Sequence, residues 1–285
     1  MSGTPEDAKK RIVDYFLATT EDSYLANWSG DSLGFHFGLA DDTTQSLSES
    51  LANTNAFLAK RARIQAGSRV LDAGCGVGGS AIWLAQNIGA LVTGVTLVDR
   101  QVELARKFAD ERGVSSLVNF QCLDMVATGF EAATFDVIWN LESLCHVVDV
   151  DVYLEHAYHL LRDGGCFACT DLCAGEVDDP NVKRTICNGW AMVLRRPSQI
   201  VESLARHGFI AIETADLTDR AMRCAEALEA MANRTLLKLR IEGELLGNPA
   251  PIYEGHVRAA LAMVDGMRTR RTSVAHFLAW KGHCP

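Results

Sequence analysis

The chain has 285 residues, is 48% hydrophobic and carries a formal net charge of −9 at pH 7. This length and hydrophobic content are enough for the core of one large domain, or of one domain with a sizeable insertion. Net negative charge without a basic block argues against nucleic acid as a partner. No run of about 18 apolar residues predicts a transmembrane helix, so we expect no membrane partner. The start, residues 1–10, is polar and unlike a signal peptide.

The nine cysteines are odd in number and scattered, which is typical of reduced thiols in a cytoplasmic protein. Cys166, Cys169 and Cys173 form C-x2-C-x3-C, a spacing that raises the question of a zinc site. They lie on or just after a predicted strand, where alternation places Cys166 and Cys169 on opposite faces. Because a metal site needs four converging ligands, we expect buried core thiols and no metal.

The first 62 residues predict two helices joined by a lid. Apolar spacing indicates an amphipathic helix over residues 5–20. A second helix is expected over 46–61. Between them, residues 19–38 are expected to form a polar and aromatic loop. The loop is either a packed segment with aromatic plugs or a lid over a ligand, with His36 facing that ligand.

Residues 69–85 read R-V-L-D-A-G-C-G-V-G-G-S-A-I-W-L-A, a strand, a glycine turn and the start of a helix. Such a junction forms a crevice where a ligand meets the backbone. A dinucleotide turn would have G-x-G-x-x-G with its acid about 20 residues later. Here Asp72 comes two residues before Gly74, too close for a phosphate because like charges repel. The turn therefore suits a cationic or zwitterionic ligand, or is an ordinary packed junction.

Strand and helix then alternate. Strands are expected over 91–97, 117–122, 135–140 and 166–172, and helices over 99–112 and 150–162. This pattern predicts a doubly wound α/β fold, with a mostly parallel sheet and helices on both faces.

Past residue 172 the alternation breaks, and only a helix (197–207) and a strand (209–217) follow before a long helical stretch. Residues 220–246 and 253–267 are expected to be helical, separated by Asn248-Pro249, and 273–280 to form the last strand. We therefore predict a core of 63–217 plus 273–285 and an inserted helical cap of 218–272. The cap would cover the carboxyl ends of the strands, and the same helices could form a homodimer.

Polar groups follow four of the predicted strands, and parallel strands bring their carboxyl ends to one edge. Together they favour a binding site more than any one of them does alone. They are Asp72 with the glycines, Thr96 with Gln101, Asp124 with Met125, and Asn140 with Glu142.

The stretch V-L-D-A-G-C-G-V-G resembles motif I of the class I S-adenosylmethionine-dependent methyltransferases. With V-T-G-V-T-L-V-x-x-Q, it is similar to the small-molecule group of tocopherol, sterol, cyclopropane-synthase and sugar O-methyltransferases. That resemblance implies a seven-stranded Rossmann-like sheet and S-adenosylmethionine as cofactor. The chain lacks the acid that many class I enzymes carry after strand two. The implied cofactor residues are Asp72, Gly74, Gly76 and Gly78 (turn and methionine part), Thr96, Leu97 and Gln101 (ribose and adenine), Asp124 and Met125 (adenine), and Asn140 and Leu141 (methionine side).

The segment W-N-L-E-S-L-C-H resembles W-x-x-E-S-x-x-H of the same group, and geranyl diphosphate C-methyltransferases have a similar segment whose Glu is the implied base. Methyl transfer is an in-line displacement that depends on positioning, and an acceptor that carries a proton also needs a base. Glu142 and His146, four residues apart, would face the same way on one helical turn. His146 has an unperturbed pKa near neutrality. Either residue could instead be structural, Glu142 as an acceptor and His146 as a cap.

The leading hypothesis is a methyltransferase for a small molecule of specialised metabolism. Either Glu142 serves C-methylation of an isoprenoid diphosphate, or His146 serves O- or N-methylation, with His36 as a further polar group. Two basic pairs, Lys183-Arg184 and Arg195-Arg196, could bind a diphosphate or be solvated. The rivals are a non-catalytic partner subunit and a nucleotide-binding oxidoreductase, which the position of Asp72 disfavours. The expected substrate pocket comprises Tyr24, Trp28, Phe35, Phe37, Trp190 and Tyr253.

Overall fold

The computed structural model describes residues 4–28, 30–246 and 251–282. At its centre is a seven-stranded sheet with the spatial order β3-β2-β1-β4-β5-β7-β6, in which β7 runs antiparallel to both of its neighbours. The strands are β1 Arg69–Ala73, β2 Leu91–Thr96, β3 Val118–Cys122, β4 Phe135–Leu141, β5 Leu161–Ala174, β6 Phe209–Asp216 and β7 Thr272–Lys281. The predicted fold, a mostly parallel, doubly wound sheet of seven strands, is confirmed.

Helices cover both faces of the sheet because the strands are apolar on both sides. One face packs against α2, α3 and α4, and the other against α5 and α7. Most predicted boundaries agree with the observed ones to within three residues. The helices are α1 Pro5–Thr19, α2 Leu47–Arg61, α3 Gly79–Ile88, α4 Asp99–Glu111, α5 Val150–Leu160, α6 Pro180–Gly189, α7 Pro197–Arg206, α8 Thr218–Leu246 and α9 Pro251–Arg268.

The expected loop over residues 19–38 is wrong in its first half. A π-helical turn, Thr20–Trp28, continues directly from α1, and a short 3-10 turn, Gly30–Ser32, follows it. Thr20 and Glu21 are held from across the chain, by the Gln101 amide and by the Arg100 guanidinium. These long-range contacts stabilise helical backbone where the local sequence favours a loop.

Two long helices, α8 and α9, lie between β6 and β7, where an inserted cap was expected. They pack against each other, and α9 also packs against α1 and α6. Their buried side chains form an apolar cluster separate from those on the two sheet faces, with Trp190 and Leu172 among its members. The predicted break at Asn248-Pro249 lies outside the described residues. No helix in the described ranges is long and apolar enough to cross a membrane.

The cysteines of the C-x2-C-x3-C pattern lie on β5, which begins earlier than predicted, at Leu161. Cys166 packs with the cluster under α2 and α3, whereas Cys169 and Cys173 pack with the cluster on the opposite face. The predicted separation of Cys166 and Cys169 onto opposite faces is therefore confirmed. Within the part of the chain that the structure describes, no three His, Cys, Asp or Glu residues are grouped to hold a metal ion.

Candidate active site

The turn between β1 and α3 is built from glycines in left-handed backbone conformations. Gly74 has φ +89° and Gly76 has φ +53°. A Cβ on Gly74 would lie 2.4 Å from Ser143 Cβ, so the turn can approach the end of β4 only without a side chain there. At Gly76 the nearest atom is a Phe35 ring carbon at 3.6 Å. Bare backbone therefore faces open space at the carboxyl edge of the sheet, as a bound ligand requires.

A cavity of about 360 Å³ begins at this turn, crosses the ends of β2, β3 and β4, and continues under the cap. Of the residues predicted to bind the cofactor, eight line this cavity. They are Gly74, Gly76, Thr96, Leu97, Gln101, Asp124, Met125 and Leu141. The sequence thus identified most of the sheet edge of the cavity, since the carboxyl ends of these strands meet there.

Three predicted cofactor residues do not line the cavity. Gly78 caps α3 and packs against Phe120, from which a Cβ would be 2.7 Å away. The Asn140 amide donates to the Ala73 carbonyl at 3.0 Å and so ties β4 to β1. Asp72 is only 2% exposed and lies beneath the turn. All three support the turn from behind.

The buried carboxyl of Asp72 has a pKa raised to about 7, because burial outweighs the hydrogen bond donated by the Ala81 amide. Its Oδ2 atom has no hydrogen-bond partner among the described residues. An acid held in this way favours positive charge nearby, in agreement with the expectation from its place before the glycines.

The polar groups at the ends of β2 and β3 are bonded to the N-terminal helical segments. Lys9 Nζ lies 2.6 Å from Asp124 Oδ2. Thr96 Oγ1 donates to Gln101 Oε1 at 2.6 Å, and Gln101 Nε2 donates to Thr20 Oγ1 at 3.1 Å. The α1 segment therefore lies across the crevice and uses side chains that the family resemblance assigns to the cofactor.

Glu142 lies where β4 ends and the cavity turns towards the cap. Its backbone has φ +49°, a strained conformation for a residue with a side chain. Its Oε1 accepts a hydrogen bond of 2.5 Å from the Phe37 amide. Burial, only partly opposed by that bond, raises the pKa of the carboxyl well above its ordinary value. The expected helical turn through Glu142 and His146 is wrong, since only Leu144–His146 is helical and its geometry is 3-10.

Two histidines that line the cavity are fixed in one tautomer. Nδ1 of His146 lies 3.1 Å from the Ala191 carbonyl, and Nδ1 of His36 lies 3.0 Å from the Phe37 carbonyl. A carbonyl only accepts, so each Nδ1 carries the proton and each Nε2 has a free lone pair. Burial lowers the pKa of both histidines to about 4, which keeps the rings neutral.

The aromatic residues predicted for the substrate pocket largely line the cavity: Tyr24, Trp28, Phe35, Phe37 and Trp190. Tyr253 does not, and faces a separate small cavity of about 10 Å³ behind His256. Several further lining residues were not predicted. Those in α1, α8 and α9 lie in amphipathic helices whose apolar stripes are typical of core positions: Tyr15, Phe16, Leu228, Met231 and His256. Ser23, Ser143 and Met192 lie in turns and connecting segments and also line the cavity.

Neither basic pair lines the cavity. Arg195 donates to the Val147 and Val148 carbonyls at 2.6 and 2.7 Å, and Arg184 donates to Asn181. Among the described residues that line the cavity, Lys9 is the only lysine or arginine, and it is paired with Asp124. As far as its described lining residues go, the chamber under the cap is therefore largely apolar and has no unpaired lysine or arginine.

The chain has recognisable relatives. Residues 71–169 match the methyltransferase domain family. The cycloartenol-C-24-methyltransferase of Arabidopsis thaliana is 31% identical over 227 residues, which cover 75% of this chain and 66% of that protein. The chain spans 47% to 66% of the length of the first curated relatives that it matches.

Two solved structures illustrate the fold. The [4+2]-cyclase SpnF has a TM-score of 0.73 and 25% identity, and the match covers 87% of this chain and 88% of SpnF. A geranyl diphosphate methyltransferase in complex with GPP and sinefungin has a TM-score of 0.78 and 19% identity, with 96% and 99% covered. With its glycine turn, its seven-stranded sheet and its matched methyltransferase domain, the chain belongs to the class I S-adenosylmethionine-dependent methyltransferases.

Proposed function

We propose that the protein transfers the methyl group of S-adenosylmethionine to an uncharged, largely apolar small molecule. The observation that carries this proposal is the single cavity that joins the glycine turn to the apolar chamber under the cap. A cofactor against the turn and an acceptor in the chamber would meet beside Glu142 and His146. This arrangement meets the main requirement of an in-line displacement, which is positioning.

The residues of the crevice fit this cofactor. Gly74 and Gly76 leave room for its methionine part, and Asp72 places a buried acid behind the turn that receives its positive charge. Gln101, Thr96 and Asp124 offer the hydrogen-bonding groups that ribose and adenine need. When bound, the cofactor supplies an activated methyl group on a sulfonium. The protein's own residues would then orient the acceptor, exclude water and remove a proton.

An uncharged acceptor fits the cavity better than a diphosphate. Phosphate groups are recognised by arginine and lysine side chains or by a metal ion. The chamber has no free cation among its described lining residues, and Glu142 adds a carboxyl group to its wall. The two basic pairs that could have bound a diphosphate or been solvated lie outside the cavity. The location of these basic pairs supports an acceptor without phosphate groups.

Glu142 is the proposed base for methyl transfer to a carbon–carbon double bond. An alkene that takes the methyl becomes a carbocation, and loss of a proton to Glu142 then restores a neutral product. The raised pKa of Glu142 matches this task, because a carboxylate with a high pKa accepts a proton more readily. The similarity to a sterol C-methyltransferase supports the same reaction class.

O-methylation with His146 as base is the second candidate. Its support is the fixed tautomer, which leaves the Nε2 lone pair free to accept a proton from an acceptor hydroxyl. The low pKa of His146 weakens it as a base. Glu142 is therefore the preferred group.

The test combines binding and turnover. Titration calorimetry should show saturable binding of S-adenosylmethionine. The enzyme should then be incubated with sterols, macrolides, geraniol and geranyl diphosphate, and products heavier by one methylene identified by mass spectrometry. We expect methylation of uncharged acceptors. Faster methylation of geranyl diphosphate than of geraniol would contradict an uncharged acceptor. Cofactor binding with no methylated product from any acceptor would favour a non-catalytic partner subunit.

A further inference from the structure

A cluster of polar side chains lies inside the apolar chamber, away from the cofactor crevice. Tyr15 Oη is 2.8 Å from His256 Nδ1 and 2.9 Å from Tyr24 Oη. Ser23 Oγ is 2.9 Å from His256 Nε2. The four residues come from α1, the π-helical turn and α9, and all of them line the cavity.

The cluster is uncharged. Tyr15, Ser23 and His256 are buried, and Tyr24 is half-buried. Burial lowers the pKa of His256 to about 4 and raises the pKa of Tyr15 and Tyr24 well above the ordinary tyrosine value. Both hydroxyl-bearing rings are therefore protonated and the imidazole is neutral at physiological pH.

The protons of this cluster can be arranged in two ways. Four groups carry one proton each, and three hydrogen bonds use three of these protons. If His256 carries its proton on Nδ1, it donates to Tyr15, Tyr15 donates to Tyr24, and the Tyr24 proton is free to point into the chamber. If the proton is on Nε2, Nδ1 accepts from Tyr15 and Tyr15 in turn accepts from Tyr24. Tyr24 then offers a ligand only a lone pair. Tyr24 Oη thus serves as either donor or acceptor.

Tyr24 lines the chamber, where a bound ligand could contact its hydroxyl. Its ring stacks on Phe35, with 4.4 Å between centroids and 21° between planes. It lies near enough to Glu142 for the charge of that carboxylate to contribute to its raised pKa. Tyr24 Oη is therefore a polar group within the apolar chamber, close to the proposed base.

We propose that Tyr24, positioned by Tyr15 and His256, binds an uncharged oxygen of the methyl acceptor, a hydroxyl or a carbonyl. This inference rests on the proposed function, and it narrows the acceptor to an apolar molecule that carries such an oxygen. Tyr24 is the contact residue, and Tyr15, Ser23 and His256 are positioning residues. A donor that can also accept explains why these buried groups face the cavity instead of packing away from it.

The test compares two ligands of the same shape, β-naphthol and β-methylnaphthalene, which differ only in a hydroxyl or a methyl group. Their affinities are measured by calorimetry with and without S-adenosylhomocysteine. A net hydrogen bond is worth about 1 kcal/mol, so the wild type should bind β-naphthol roughly fivefold more tightly. Tyr24→Phe should abolish this preference. His256→Phe should reduce it, and His256→Gln, which retains a donor and an acceptor, should restore part of it.

Phe16→Leu is the control, because Phe16 lines the same chamber and packs against Tyr15 and Tyr24 but has no side-chain hydrogen-bonding group. It should weaken both ligands equally. Equal binding of the two ligands by the wild type would overturn the proposal, as would a preference that survives Tyr24→Phe. Tyr24→Phe removes one oxygen atom, so it carries the test even if His256→Phe does not fold. No methyl transfer is needed, and a failure here is therefore distinct from a failure of the proposed reaction.

Discussion

The Phe37 amide donates a 2.5 Å hydrogen bond to Glu142 Oε1, and this bond joins the proposed base to the aromatic segment that closes the cavity. Glu142 thus has two roles that mutation can separate, one chemical and one structural. A glutamine keeps the oxygen that accepts from Phe37 but cannot take up a proton at neutral pH. An alanine removes both.

We expect Glu142→Gln to lower kcat by about a hundredfold or more, the usual effect of losing a general base. Its melting temperature should stay at or above that of the wild type, because a buried ionisable group is removed. Glu142→Ala should lose activity and also melt earlier. His146→Gln, assayed beside them, tests the O-methylation alternative. An unchanged kcat in Glu142→Gln with a large loss in His146→Gln would transfer the role of base to His146.

The second prediction concerns the ion pair between Lys9 and Asp124. Lys9 is 47% exposed, so the pair contributes at most about 1 kcal/mol to stability. It does, however, occupy the carboxylate that the adenine amino group would need. Lys9→Ala should therefore bind S-adenosylhomocysteine several times faster in stopped-flow fluorescence, with little change in melting temperature. Lys10→Ala is the matched control, since Lys10 pairs with Asp14 on the exposed face of the same helix. Identical rates in the two variants would show that the pair does not restrict the crevice.

The sheet edge of the site was predictable from sequence because its residues follow consecutive parallel strands. Thr96 ends β2, Gln101 lies in the first turn of the helix that follows it, and Asp124 comes two residues after β3, so topology alone brings them together. The behaviour of Asp72 could be predicted only in part. Its position before the glycines showed that a phosphate was unsuitable, but not that the carboxyl lies beneath the turn.

The far side of the site was not predictable for a physical reason. His256 and Tyr15 are separated by 241 positions in the chain, and they meet only because α9 packs against α1. Each lies in an amphipathic helix whose apolar stripe is typical of core positions. The conformation of Glu142 was missed because the Glu142 amide donates to the Thr170 carbonyl on β5 at 2.9 Å. That bond, invisible in the local sequence, holds the chain in a left-handed conformation before the 3-10 turn.

The third prediction follows from the raised pKa of Asp72, about 7 against an ordinary value of 3.8. Between these values the folded protein holds a proton that the unfolded chain has lost. Stability from this group is therefore complete at low pH and declines as pH rises towards about 7, by up to roughly 1.4 kcal/mol per pH unit. Asp72→Asn cannot ionise and should escape this decline.

Urea denaturation at about pH 5 and about pH 8 measures the effect of Asp72→Asn. Its free energy of unfolding, relative to the wild type, should be more favourable at the higher pH. Asp42→Asn, which changes an exposed carboxyl, should show no such trend. A difference between Asp72→Asn and the wild type that does not vary with pH would show that Asp72 is ionised in the folded protein over this whole range.

The last prediction tests the close approach of the glycine turn to Ser143. Gly67 and Gly74 both have left-handed backbones, with φ +79° and +89°, but only Gly74 has a neighbour that a Cβ would strike. Ser143 cannot move aside easily, since its hydroxyl donates to the Ala73 carbonyl at 2.6 Å and accepts from Asn140 at 2.8 Å. Gly67→Ala should lose only the strain of a left-handed residue, roughly 1–2 kcal/mol, and retain its affinity for S-adenosylhomocysteine. Gly74→Ala should lose a further 1–3 kcal/mol or so from overpacking, and its affinity should fall more than tenfold as the turn shifts. Chemical denaturation and calorimetry on the two variants decide the matter, and equal losses in both measurements would mean that the turn does not depend on this contact.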